Sequence, residues 1–274
     1  MRAALGSDAG AMQRSVEALI AEGAAADISG WDFSFLAGRA RKERPPWGYA
    51  LALADRLGQV ASALDLQTGG GEVFAFALGR ARRVPERVVA TQSYAPNAAL
   101  ARERLGALGV GVVEIPDDAP VPVPDSSIEF VSSRHPVTNN WSEIARVLRP
   151  GGRLFSQQIG AGTNRELTDF IMGPQPINPA RRLDRAIAAA TAAGLVVNDA
   201  REATLRVEFF DVGAVVYFLR KVCWTVPGFS AERYHDALVA MHEHIAQHGA
   251  FVCHSRRFLL EAQRSIDAVH PSRR

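Results

Sequence analysis

The segment Ala63-Leu64-Asp65-Leu66-Gln67-Thr68-Gly69-Gly70-Gly71-Glu72 constrains the fold of this chain more than any other, because an apolar run ends in an acidic residue, a glycine turn and a helix start. Glycines at 69, 70 and 71 carry no Cβ and reach positive φ without penalty, so the chain can reverse tightly while its amides approach a ligand. Phe74-Ala75-Phe76-Ala77-Leu78 then continues as an apolar helix able to pack back onto a sheet. Strand, glycine turn and helix in this order make a nucleotide-binding turn. Two common versions fail on spacing. The dinucleotide fingerprint G-x-G-x-x-G, counted from Gly69, finds Gly71 and then Phe74 where its third glycine belongs. The phosphate loop ends in Lys followed by Ser or Thr, and neither pair occurs in the chain.

The segments downstream repeat the same alternation. Val88-Val89-Ala90-Thr91 reads as a second strand and Val110-Gly111-Val112-Val113-Glu114-Ile115 as a third, each followed by a helical or turn segment. Pro124-Asp125-Ser126-Ser127 opens a fourth strand through Val131, and in Glu143-Ile144-Ala145-Arg146-Val147-Leu148-Arg149-Pro150-Gly151-Gly152-Arg153-Leu154 a helix stops at Pro-Gly-Gly before a fifth. With Asp65-x-Gln67-x-Gly69-x-Gly71 at the head, this series resembles the class I S-adenosylmethionine-dependent methyltransferases, whose first motif is D/E-x-G-x-G-x-G. Gln67 stands in place of the first glycine. The resemblance spans about residues 30 to 264 and is nearest to the small-molecule "type 11" branch. Trp31-Asp32-Phe33, Pro45-Pro46-Trp47, Ser133-Arg134-His135-Pro136, Gln157-Gln158 and Arg257-Phe258-Leu259-Leu260-Glu261-Ala262 look like one bacterial subgroup of it.

The resemblance implies an α/β, doubly wound, seven-stranded and mostly parallel sheet, Rossmann-like, with the last strand antiparallel and the cofactor at the carboxyl ends of the first two strands. It divides the chain into an N-terminal helical extension (1–30), a methyltransferase domain (31–264) with a helical lid insertion at about 209–250 before the last strand, and a tail (265–274). Residues 1–10 are expected to be mobile. Helical periodicity covers Gln13 to Glu22, a linker follows at Gly23 to Gly30, and Trp47 to Val60 reads as the helix before the first strand. Residues 161–178 read as a loop, Ala180 to Ala193 as a helix and Leu195-Val196-Val197 as the sixth strand. Within the insertion, helices are expected at Val212 to Val222 and Ala231 to Gln247, and the seventh strand at Phe258 to Ala262.

The family carries its cofactor on the glycine turn, which implies Asp65, Gln67, Thr68, Gly69 and Gly71 as binding positions. The acid that closes the second strand and accepts the ribose hydroxyls is here Gln92, a neutral acceptor whose hydrogen bonds are weaker by roughly 1 kcal/mol. Asp118, or its neighbour Asp117, matches the acid that accepts the adenine amino hydrogens. Arg134 and His135 follow the fourth strand, where the family faces the transferable methyl group. Histidine titrates near neutrality and suits a general base, yet methyl transfer can proceed by alignment alone, which leaves His135 either role. Gln157 and Gln158 alternate in direction, so one of them faces the cleft. Glu208, Asp211, Tyr217, His254 and Arg256 are weaker substrate-side candidates.

Composition narrows the partners. The 31 basic and 29 acidic residues nearly balance, and all but Lys42 and Lys221 of the basic set are arginine, with no block able to track a phosphate backbone. A nucleic-acid partner is not expected. No apolar span of 18 residues and no secretory pattern occur, which implies a cytoplasmic protein with no membrane partner. Cys223 and Cys253 fit no metal or redox spacing and read as two buried thiols, and the histidines at 235, 242, 244 and 248 lack the H-E-x-x-H order, so no metal is expected. The expected activity is transfer of a methyl group from S-adenosylmethionine to oxygen, nitrogen or carbon of a small molecule. Gln67 and Gln92 motivate the rival, a catalytically silent cofactor-binding or regulatory protein of the same fold, and RNA methylation ranks third.

Overall fold

The computed structural model describes residues 14–30 and 32–266. Residues 1–13, which include the expected mobile segment 1–10 and the first residue of the expected helix, Gln13, lie outside them, as do Trp31 and residues 267–274 of the tail. Nine α-helices and eight strands are found among the described residues: α1 (Val16–Ala25), β1 (Ala40–Lys42), α2 (Tyr49–Leu57), β2 (Ser62–Leu66), α3 (Glu72–Arg80), β3 (Arg87–Gln92), α4 (Ala95–Gly106), β4 (Gly111–Glu114), β5 (Ile128–Arg134), α5 (Trp141–Val147), β6 (Leu148–Ile159), α6 (Arg165–Met172), α7 (Leu183–Ala192), β7 (Leu195–Phe209), α8 (Val212–Lys221), α9 (His235–His248) and β8 (Phe251–Arg264).

The strands lie in the order β1-β7-β8-β6-β5-β2-β3-β4. Pairs from β6 to β4 are parallel, and β8 runs antiparallel to β6, as the class I pattern requires. The eighth strand is a departure from the expected seven: β1 pairs antiparallel with the end of β7 through Ala40 and Phe209. Three further expectations change. The segment read as a loop at 161–178 contains α6, α1 extends through Gly23 into the expected linker, and β7 and β8 are several times longer than the segments assigned to them.

The described residues divide into two compact units, 14–30, 32–42, 166–175 and 207–253 in the first, and 43–165, 176–206 and 254–266 in the second. The first has a core of its own built on Leu19, Leu167, Val212, Val216, Met241 and Phe251. Its helices α1 and α8 meet through glycines: a Cβ on Gly23 would lie 2.3 Å from the carbonyl oxygen of Gly213, so any larger residue forces them apart. Asp211 caps α8 by accepting from the amide of Ala214 at 2.9 Å.

In the second unit β2 is buried on both faces, as a central parallel strand must be, and each face carries a core. Ala63, Phe130, Phe155 and Leu259 pack with α2, α3 and α4, while Leu64, Val131, Leu154 and Leu260 pack with α5 and α7. The chain leaves β2 toward β3 and β4 and then returns to β5 on the other side of β2. That reversal opens a crevice at the carboxyl ends of β2 and β5.

Candidate active site

The glycine turn is fixed to its neighbours strand by strand. The Thr68 amide donates to the carbonyl of Thr91 at 2.9 Å, and the Gln67 amide donates to its hydroxyl at 3.2 Å. Gly71 caps α3 at φ +80°, and a Cβ there would approach Leu105 of α4 to 2.9 Å, so its glycine is demanded twice, by backbone angle and by space. Gly69 also sits at positive φ. Arg104 donates to the carbonyl of Gly70 and, at 2.8 Å, to Glu72, bracing the outside of the turn.

Asp65 ends the buried part of β2 with only 5% of its surface exposed. Burial pushes its carboxyl up to about 6, against the hydroxyl of Ser132, which donates to Oδ1 at 2.6 Å, and the nearby charge of Arg134. The Thr68 hydroxyl, shut off from solvent, lies near enough to act on this carboxyl while making no hydrogen bond of proper geometry.

Gln67 occupies the left-handed region, φ +54°, which suits the glycine usually found at this place. Its side chain reaches across the crevice. Nε2 donates to the carbonyl of Thr138 at 2.8 Å, and Oε1 accepts from the amide of Val137 at 2.6 Å. Asn139 and Gln158 pin the same loop by exchanging amide hydrogen bonds at 3.0 and 3.1 Å. The crevice between, lined by Gln67, Thr91, Asp117, Ser133, Asn139 and Glu143, encloses about 20 Å³, room for about one water. Of the expected cofactor positions, Gln67 and Asp117 thus share a wall. Asp118 offers its backbone carbonyl to Asn140 at 3.3 Å, and Gln92 is buried at the end of β3, in register with Glu114.

Arg134 and His135 leave β5 in opposite senses. Register places Arg134, Gln157 and Leu259 in one row across β5, β6 and β8, on the face that also carries Asp65. His135 takes φ +57° and donates its amide to the carbonyl of Gln157 at 2.7 Å. The Trp47 indole donates to Oε1 of Gln157 at 2.7 Å, and Nε2 of Gln157 lies 2.9 Å from Nε2 of His135. An indole N–H can only donate, so the amide oxygen must face Trp47, and the amide nitrogen must then donate to His135. His135 is therefore the neutral tautomer with its proton on Nδ1. Beside it, the Tyr49 hydroxyl donates to the carbonyl of Ser133 at 3.0 Å and its ring stacks on Phe155 at 4.8 Å. Gln158 emerges on the other face, toward Asn139, as alternation along β6 requires.

Three weaker candidates have structural work in the first unit. Asp211, besides capping α8, takes two hydrogen bonds from Arg39 at 2.8 and 2.5 Å; Glu208 takes one from Arg41 at 2.7 Å; and the Tyr217 hydroxyl donates to the carbonyl of Asp32 at 2.8 Å. Among the described residues no group of three His, Cys, Asp or Glu is arranged to hold a metal. His244 stacks on His248 at 4.2 Å, and His235 pairs with Glu17 at 2.9 Å. Neither cysteine is in a disulfide, but Cys223 is exposed and only Cys253 is buried, where desolvation raises its thiol to about 12. No helix among the described residues is long and apolar enough to cross a membrane.

Trp47, Asn139 and the loop at 137–138 were not legible as site residues: Pro45-Pro46-Trp47 marks a helix boundary and enters the family resemblance, and neither says anything of a donor to Gln157. Residues 64–156 match a family model described as a methyltransferase domain. No curated protein matches the sequence significantly. Among solved structures, the YcgJ protein from Bacillus subtilis is similar at 15% identity and a TM-score of 0.55, over 79% of this chain and 98% of that one. A protein from Bacillus halodurans C-125, assigned provisionally as a methyltransferase, is similar at 17% identity and 0.54, over 78% and 98%. A functionally unknown protein from Deinococcus radiodurans R1 is similar at 13% identity and 0.54, over 82% and 90%. Likenesses this distant speak to fold alone, and they agree with the strand order; over the turn and the strands that follow it, residues 64–156 are similar to a methyltransferase domain.

Proposed function

We propose that the chain transfers a methyl group from S-adenosylmethionine to a small-molecule acceptor. The observation that carries this reading is Asp65, a carboxylate kept buried at a cost beside a turn of three glycines, two of them at positive φ, whose amides no Cβ shields. These residues fit the cofactor's chemistry: the turn offers the amides of Gly69 and Gly70, since those of Thr68 and Gly71 donate to Thr91 and Thr68, Asp65 offers a charge for an ammonium, and Asp117 offers an acceptor to an adenine edge. When bound, the cofactor supplies a methyl group activated by its sulfonium. The protein's own contribution is alignment. Trp47 and Gln157 hold the His135 ring, and Tyr49 holds the strand end that precedes it. Because Nε2 of His135 is already engaged by an amide N–H, we assign His135 to orienting the acceptor and Arg134 to the charge balance around Asp65.

A second reading, a silent protein of the same fold, draws on the Gln67 clasp and the 20 Å³ crevice. Titration calorimetry with S-adenosylmethionine and S-adenosylhomocysteine separates the two. Micromolar binding followed by methyl transfer to an acceptor supports the enzyme; no heat at millimolar cofactor removes that reading. Binding without turnover over a broad panel of acceptors favours the silent protein.

A further inference from the structure

A cavity of about 750 Å³ lies in the second unit beyond the end of β6, and Gly160, Gly162, Ile187, Thr204, Arg256 and Arg257 contribute to its wall. Its charges are not balanced. Arg182 is matched by Asp184 through two contacts at 3.0 and 2.9 Å, Arg165 is already engaged, and Glu202 is the remaining acid of the wall. Arg256 is exposed and forms no ion pair with any of the described residues.

Arg257 is the unusual member. It is 7% exposed, and among the described residues its one side-chain hydrogen bond runs from Nη1 to the backbone carbonyl of Arg256 at 2.7 Å. That carbonyl also accepts from the amide of Gly160 at 2.9 Å and the hydroxyl of Thr163 at 3.0 Å, so it is a shared acceptor with little left for a full positive charge. The charged groups that act on the guanidinium are two more arginines, Arg134 and Arg181. Desolvation, with their repulsion, brings it down to about 10. A buried guanidinium lacking a carboxylate is expensive to keep, and it is kept where an anion arrives from outside. Register sets Arg257 opposite Ile159, on the same sheet face as Gln157 and Arg134, so it stands beside the row that ends at the candidate methyl-transfer position.

We infer that the acceptor carries an oxyanion, a carboxylate or a phosphate, and that the Arg257 guanidinium receives it at the wall of this cavity, with Arg256 at the rim. The fork of Arg257 suits two oxygens of one group, and neutralising it removes the repulsion from Arg134 and Arg181. The site rests on the proposed methyl-transfer reading only for the word acceptor.

Thermal unfolding of the full chain in sodium phosphate, sodium acetate and sodium chloride at matched ionic strength tests this. The wild type is expected to show a saturable rise in Tm with phosphate or acetate beyond that with chloride, and the stronger of the two names the preferred group. Arg257→Met should weaken the saturable component about tenfold or more, leaving the general salt effect. Arg257→Lys, which keeps the charge and loses the fork, should fall between and serves if the Met variant does not fold. An equal rise in wild type and both variants overturns the assignment. So does loss of the effect at saturating S-adenosylhomocysteine, which would give the arginine to the cofactor's own carboxylate. Calorimetric binding of S-adenosylhomocysteine to the wild type is read separately, so failure of the cofactor reading and failure of the anion site are distinguishable.

Discussion

Replacing Asp65 by Asn should make the protein more stable and less able to bind its cofactor. The carboxyl rises from an ordinary 3.8 to about 6 because burial disfavours its charge, and at 1.36 kcal/mol per pH unit this corresponds to about 3 kcal/mol of lost stability once the group is ionised. The sign follows from proton binding. Below pH 3.8 both folded and unfolded chains hold the proton and the group is neutral in its effect. Between 3.8 and about 6 the unfolded chain gives it up first, so stability falls as pH rises; above about 6 the full cost is present. Asn keeps an oxygen for the Ser132 hydroxyl and never ionises, although its neutral bond is weaker than one to a carboxylate. Urea unfolding of both proteins from pH 4 to 8 should therefore give curves that nearly coincide near pH 4 and diverge to a plateau near neutrality. The variant should lead by roughly 1–3 kcal/mol there. A difference that stays flat across this range, or a variant less stable at pH 7, would refute the claim that Asp65 is ionised at a cost. S-adenosylhomocysteine affinity of the same variant should drop, the usual exchange of function for stability at a strained site.

Gln67→Gly removes two hydrogen bonds worth about 1 kcal/mol each and relieves a left-handed side chain worth a similar amount, so stability should shift by less than about 1 kcal/mol while S-adenosylhomocysteine binds about tenfold tighter; unchanged or weaker binding by calorimetry would show that the clasp does not oppose the cofactor. Gly71→Ala combines positive φ with the approach to Leu105 and should cost roughly 2–4 kcal/mol in urea unfolding, and a loss under about 1 kcal/mol would mean that α4 yields easily. With an active acceptor in hand, His135→Ala should lower kcat by less than about tenfold and leave the pH profile in place; a loss of about 100-fold or more together with a vanished pH limb would assign it proton transfer after all.

What could be read from sequence was whatever is written at fixed short spacing. The turn from Asp65 to Gly71 announces itself because glycine is demanded at particular offsets, and the parallel strands because each is a short apolar run closed by turn residues. The missed helix α6 carries Leu167, Phe170 and Ile171 at helical spacing, but the glycines and prolines on either side of it dominate the reading of 161–178. The length of β7 is legible in the alternation Leu205, Val207, Phe209, all buried, although the largely polar run from Asn198 to Thr204 separates it from the apolar start at Leu195-Val196-Val197. β1 has three residues, two of them charged, and exists only as a partner for β7. The Gln67 clasp and the Thr163 bond to the carbonyl beside Arg257 join residues 71 and 93 positions apart, and no local pattern encodes them.

The run from Trp47 through Gln157 to His135 has a polarity that only one of its members can impose. The amide in the middle would serve equally well turned around, and the imidazole has two tautomers to choose from. The indole has a single option, and it is the end of the chain that dictates to the rest. Phenylalanine at position 47 would keep the ring and abolish the vote: Gln157 could then rotate, present its oxygen, and leave His135 with the opposite nitrogen protonated. An aromatic residue in a loop before α2 thereby decides, through the amide between them, which lone pair the imidazole turns to its neighbours.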